Sequence, residues 1–154
     1  MNYRNNITTI MQETLLRKLH EYIRDNNPDL LLTLQEENRL TDYLNESVAS
    51  VDGLINQLVV ENQPPSVIEE QCMEELTKPL KPSRYSYIKS ILEEEFPNDF
   101  ERMLNSNVLT TELINMITVC DAVFEEFEFS EATEDNRFLR YAITGAVYEY
   151  LNKG

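Results

Sequence analysis

Apolar residues recur every three or four positions along almost all of this 154-residue chain, and nowhere do they alternate strictly enough to line one face of a strand. Three glycines in the whole sequence also leave little material for the tight turns of hairpins. Both facts point to an all-α protein. The length is that of one domain, and apolar residues at 42% against charged residues at 27% suffice for a core without disulfide or metal staples. The pattern predicts a single-domain multihelical bundle of about six to seven helices over residues 1–154, with residues 1–6 disordered in front of it.

Local signals place the helices. Thr9 with Gln12, and Thr33 with Glu36, have the form of capping boxes, in which two side chains satisfy free backbone donors at a helix start. The first opens a stripe of Ile10, Met11, Leu15, Leu19, Tyr22 and Ile23 that stops before Pro28. The second opens a longer stripe from Leu40 through Leu44, Val48, Val51, Ile55 and Leu58, with Gly53 as a place to bend. Pro64 and Pro65 break it. Ser66 restarts the pattern with Ile68, Cys72, Leu76 and Leu80, and Pro79 and Pro82 end it. A helix from Ser83 presents Tyr85, Ile88, Ile91, Leu92 and Phe96, and Pro97 starts a short piece through Phe100, Met103 and Leu104. After an Asn-Ser-Asn turn, Thr110 or Thr111 leads a seam of Leu113, Ile117, Cys120, Phe124 and Phe127. Thr133 then caps a last helix whose core face carries Phe138, Ala142, Ile143, Ala146, Val147, Tyr150 and Leu151. Gly145 beside Ala142 and Ala146 makes a slim face that a second helix can approach, from this chain or from another copy, so the oligomeric state stays open.

The formal charge is −15, from 28 carboxylates against 13 Lys and Arg. Such a field repels nucleic acid phosphates and anionic lipid. No window approaches the 18 or so consecutive apolar residues of a membrane span, and the first residues lack a secretory apolar run. Cys72 and Cys120 fall on apolar faces, as small buried thiols of a reducing compartment do. The expectation is a cytoplasmic protein with no membrane contact.

Most catalytic chemistry cannot be written with these residues. His20 is the single histidine, so neither a His-Glu-x-x-His site, a Cys/His zinc site nor a di-iron bundle is available. There is no phosphate-cradling glycine motif and no local signature of a nucleophile with its base. Runs such as Glu69-Glu70, Glu74-Glu75, Glu93-Glu94-Glu95 and Glu125-Glu126 diverge by about 100° per residue on a helix, which spreads charge over a solvated face. No catalytic, metal or cofactor-binding residue is assigned.

One stretch stands apart electrostatically. From Lys78 to Lys89 there is no Asp or Glu, while Lys78, Lys81, Arg84 and Lys89 alternate with Tyr85 and Tyr87. Lys78 and Lys81 suit the negative end of a helix dipole, Tyr85 falls on the core side, and Tyr87 is the ring expected in solvent. Lys78, Lys81, Arg84, Tyr87 and Lys89 are therefore the candidate interaction surface.

Three blocks carry a likeness to a family. Leu16-Arg-Lys-Leu-His-Glu-Tyr-Ile-Arg-Asp-Asn-Asn-Pro-Asp-Leu30 is similar to a tyrosine- and leucine-rich first helix that closes in a Pro-acid-Leu turn. Pro82-Ser-Arg-Tyr-Ser-Tyr-Ile-Lys-Ser-Ile-Leu-Glu-Glu-Glu-Phe96 resembles a second block ending in Glu-Phe. The closing block, Cys120-Asp-Ala-Val-Phe124 followed by Thr144-Gly145-Ala-Val147, resembles Cys-x-x-Val-Phe and Leu-Thr-Gly-x-Ile elements. Together they resemble the uncharacterised Bacteroides-group family known as domain of unknown function 1896. That resemblance implies a compact helical protein often encoded near mobile-element genes, and it implies no activity or site residue.

The function expected from the sequence is that of a small non-enzymatic interaction protein, with a protein partner, or nucleic acid through the basic island. Two alternatives stand beside it: an acidic DNA mimic that inhibits restriction or defence nucleases, and an enzyme using carboxylates alone in an interhelical cleft.

Overall fold

A computed structural model describes residues 3–153, and the described chain is all-helical. In chain order it runs α1 (Tyr3–Asn26), α2 (Pro28–Glu36), α3 (Leu40–Ala49), α4 (Asp52–Val60), α5 (Pro65–Thr77), a 3-10 turn (Lys78–Leu80), α6 (Arg84–Glu95), α7 (Pro97–Asn105), α8 (Leu109–Glu126) and α9 (Arg137–Asn152). Nine α-helices among the described residues exceed the six to seven expected, and the surplus comes from one stretch.

The apolar stripe from Thr33 to Val59 is cut into three helices. Pro28 is a start as well as a stop: its fixed φ and missing N–H suit the first helical position, so α2 begins there and encloses Thr33. Thr33 is therefore not a cap. A second cut comes at Ser50 and Val51, where the Val51 N–H turns to the Val48 carbonyl at 3.1 Å and the Ser50 hydroxyl takes the Ser47 carbonyl. Gly53 consequently lies in the first turn of α4 and bends nothing. Thr9 lies inside α1, which corrects its capping role, and α1 begins at Tyr3, within the stretch 1–6 where disorder was expected. Of those six, Met1 and Asn2 lie outside the described residues.

With so few glycines, four helices end by the same substitute device. Asn38, Asn62 and Asn107 take the left-handed conformation after α2, α4 and α7, with φ of 55°, 58° and 59°, and Glu128 does so after α8 with φ of 51°. Each is followed by a residue whose N–H returns to the carbonyl five positions back: Arg39 to Leu34 at 2.8 Å, Gln63 to Leu58, Val108 to Met103 and Phe129 to Phe124, each at 3.0 Å. This pairing satisfies carbonyls that a helix end leaves open, and Asn tolerates the conformation better than other residues with a Cβ.

The chain forms two compact units, one containing Leu30–Leu80 with the preceding residues up to Asp25, the other containing Asn26–Asp29 with the chain from Lys81 onward. Each has its own buried cluster, where the sequence reading expected one core. The first gathers Met11, Leu15, Leu19 and Ile23 of α1 with Leu44, Val48, Ile55, Leu58, Ile68, Cys72 and Leu76. The second gathers Ile88, Ile91 and Leu92 of α6 with Met103, Leu113, Met116, Cys120, Phe124, Leu139, Ile143 and Val147.

Three residues placed on core faces are in solvent, among them Leu104, 51% exposed beside buried Met103 on α7. The α1 seam runs through Met11 and leaves Ile10 62% exposed, and the α9 seam runs through Leu139 and leaves Phe138 57% exposed. Adjacent residues on a helix differ by about 100°, so only one of each pair can face the core. Asn136, not Thr133, caps α9, its carbonyl oxygen accepting from the Phe138 N–H at 2.8 Å and the Leu139 N–H at 3.4 Å. Thr133 instead ties the preceding loop, its hydroxyl donating to the Glu128 carbonyl at 3.0 Å and accepting from the Ser130 N–H at 2.9 Å. Ser83, where the sequence started this helix, caps α6, accepting from the Ser86 N–H at 3.0 Å and donating to the Asn26 carbonyl.

Candidate functional site

Two of the basic island's four cations are compensated inside their own units. Lys78 belongs to the first unit, where its ammonium donates to Glu75 Oε1 at 2.7 Å. That hydrogen bond and charge hold the lysine above its ordinary pKa. The other four candidates belong to the second unit. Arg84, at the start of α6, donates to Asp121 Oδ1 at 2.9 Å and reaches Glu125 Oε1 at 3.7 Å, two carboxylates one turn apart on α8. Its guanidinium also lies 5.1 Å from the centroid of the Phe124 ring, so charge and stacking act on the same pair of helices.

Tyr87 is not the solvent ring that its position suggested. It stands edge-on to Phe124 at 5.7 Å and to Phe129 at 5.2 Å. Its buried hydroxyl has no hydrogen-bond partner. Burial raises its pKa, the positive charge of Arg140 opposes this, and Asp135 and Glu134 add to it. The ring is drawn inward because Phe129, brought back over Phe124 by the left-handed turn at Glu128, offers it a second aromatic face. Tyr85 is buried, as its spacing predicted. Lys81 is exposed and Lys89 half-buried, and neither makes an ion pair among the described residues.

The acidic runs divide the same way. Glu94 and Glu95 do not only spread charge: both converge on Arg140 of α9, at 2.8 Å and 3.4 Å. Glu112 accepts the hydrogen bond of the Tyr150 hydroxyl, whose pKa is raised by burial and then by that bond. In the first unit, a groove of about 530 Å³ lies between Ser50, Val51 and Leu54 on one side and Gln71, Glu74 and Glu75 on the other. Its two carboxylates are neighbours on α5, and Glu75 is held by Lys78. The opposite wall supplies a hydroxyl and two apolar side chains, so the groove does not set two acids face to face as paired carboxylate catalysis needs. A smaller cleft of about 280 Å³, beside Ile7, Val59 and Ile68, is lined by no titratable side chain.

Other chemistry is equally sparse among the described residues. No three of His, Cys, Asp and Glu gather as metal ligands. His20 is exposed on α1. Cys72 and Cys120 are fully buried free thiols, each pushed up to about 11 by loss of solvent, with Asp121 adding to the effect at Cys120. Such thiols are poor nucleophiles at neutral pH. No helix among the described residues is long and apolar enough to cross a membrane.

The feature that sequence reading missed is on α9. Phe138 is 57% exposed, Tyr141 65% and Tyr148 58%, and among the described side chains no other aromatic ring is as exposed. The three lie on one helical face, opposite the buried Leu139, Ile143 and Val147, with exposed Gly145 between Tyr141 and Tyr148. Phe138 and Tyr141 meet edge to face at 6.4 Å, and Tyr148 lies 6.5 Å from half-buried Phe96. Their spacing of three and seven residues was the available signal, masked because Phe138 fits a core stripe almost as well as Leu139 does.

No protein family, curated protein or solved structure matches this chain.

Proposed function

We propose that this protein is a small non-enzymatic interaction protein that binds another protein through the outward face of α9. The observation that carries the reading is the row of three exposed aromatic rings, more exposed than any other ring among the described side chains. Aromatic side chains bury a large area per residue and are enriched at protein interfaces, and such a row is costly to leave in water. The basic island supports the reading less, because Arg84 and Tyr87 are engaged within their own unit.

A second reading keeps nucleic acid as the partner, favoured by the uncompensated ammonium groups of Lys81 and Lys89. The net charge of −15 works against it. Two buried thiols suit a cytoplasmic place of work. The likeness to the uncharacterised family belongs to the same proposal and adds no activity to it.

Affinity purification from the native cell, with and without nuclease, tests the reading when run beside a variant carrying Phe138→Ser, Tyr141→Ser and Tyr148→Ser. The expected result is a protein partner that survives nuclease and is lost with the variant. Material that vanishes with nuclease and persists in the variant contradicts it.

A further inference from the structure

Resting on that reading, and naming the partner, we infer that α9 pairs with α9 of a second copy of this chain, antiparallel across a two-fold axis. The outward face has Arg137 at its N-terminal end and Glu149 toward the other, and neither has an ion-pair partner in its own chain among the described residues. The Arg137 guanidinium lies instead over the Phe138 ring, 5.0 Å from its centroid. In a chain of charge −15, this face carries equal and opposite charges, so two copies can meet on it without confronting like charges.

Three pairings fall into a single register when the axis is set level with Ile143. Arg137 then comes level with Glu149 of the second copy, across the seam from it, while Phe138 comes opposite its Tyr148 and Tyr141 opposite its Gly145. A C2 interface requires this kind of self-complementarity, with each contact occurring twice. A parallel arrangement would set Arg137 against Arg137 instead.

Gly145 fits the same geometry. It lies in mid-helix, where glycine is a poor helix former, and a Cβ built on it would meet nothing within 4 Å. No close approach within the chain calls for a glycine there. A tyrosine seated from a second helix does, because the bare backbone lets the ring descend between Tyr141 and Tyr148.

The rings offer roughly 100 Å² each for burial, which puts the contact at the small, reversible end of specific interfaces, below about 1,200 Å² in total. Sedimentation equilibrium of the full chain, over concentrations from roughly 1 μM to 1 mM, should show a monomer–dimer equilibrium. Gly145→Leu puts a Cβ into open space and replaces a poor helix former with a good one, so helicity and melting temperature should hold or rise while association weakens at least ten-fold. Arg137→Glu should weaken association similarly, and adding Glu149→Arg to it should restore it.

A chain that stays monomeric throughout overturns the inference. So does a dimer that ignores Gly145→Leu and is not restored by the charge swap. A monomer that still loses a different protein partner on Tyr141→Ser overturns the self-pairing and leaves the interaction reading standing, whereas one that keeps the partner overturns both.

Discussion

The two units of this chain use the same helical pitch and close their surfaces differently. The first is packed with Leu, Ile, Val, Met and Cys side chains, and its exposed large apolar residues, Ile10, Leu32 and Val60, are single and scattered. The second turns on Phe124, with Tyr87, Phe96, Phe100, Phe127 and Phe129 around its edge; all six phenylalanines of the sequence fall after residue 95. Their ion pairs differ as well. In the first unit most join near neighbours in sequence, as in Arg17–Glu21, Arg39–Glu37 and Lys78–Glu75, with Lys18–Glu69 linking helices. In the second, Arg84 and Arg140 each hold two carboxylates from another helix. Aliphatic stripes fill a core and stop, whereas the second unit has more aromatic surface than its interior takes, and the remainder emerges on α9.

Replacing one central side chain at a time should separate the two units most forcefully. Phe124→Ala should destabilise the second unit by about 3–5 kcal/mol, and Ile55→Ala the first by about 2–5 kcal/mol. Each unit carries its own buried thiol as a reporter: Cys120 should become reactive toward a thiol reagent in the Phe124 variant, and Cys72 in the Ile55 variant. If both thiols open together in either variant, the units unfold as one block and the contrast between them fails.

Alkali should weaken both units. A thiol at about 11 when folded and near 8.5 when unfolded binds more protons in the folded state between those values, so stability falls as pH rises through that window. The loss reaches on the order of 3 kcal/mol per thiol, and Cys72→Ala and Cys120→Ala should each flatten the slope of its own unit. Denaturant midpoints measured from pH 8 upward, in roughly half-unit steps, check this.

Smaller changes sharpen the contrast in the second unit. Tyr87→Phe removes a buried hydroxyl that has no partner and keeps both edge-on ring contacts, so it should raise stability by about 1 kcal/mol in thermal or denaturant melts. Arg84→Met should cost up to about 1 kcal/mol, since the side chain is 32% exposed and its pairs are screened, while Lys78→Met in the first unit should leave the melt unchanged.

Helical class was legible because one signal, the spacing of apolar residues, repeats along the whole chain. Seams such as Leu113, Ile117, Cys120 and Phe124 were readable residue by residue for the same reason. Boundaries were harder. Pro28 can stop one helix or start the next, and here it does the second; Thr9 and Thr33 begin sequence patterns of capping-box form that lie inside helices, since a local hydrogen-bond motif competes with a propagating turn and loses. The division into two cores depends on which stripes pack together, and a stripe does not name its neighbour. For the candidate surface, a run free of acids drew attention to Lys78 through Lys89, but acids distant in sequence, Asp121 and Glu125, neutralise its arginine. The aromatic row on α9 was masked by a one-residue ambiguity, in which Phe138 and Leu139 compete for the same core position.

Placing a photo-crosslinking residue at position 141 in one variant and at position 89 in another tests most directly which surface makes contact. Purified protein should give an adduct of twice the chain mass from position 141 and none from position 89, and cells a protein adduct from position 141 that nuclease leaves intact. Adducts from position 89 alone, sensitive to nuclease, would contradict it.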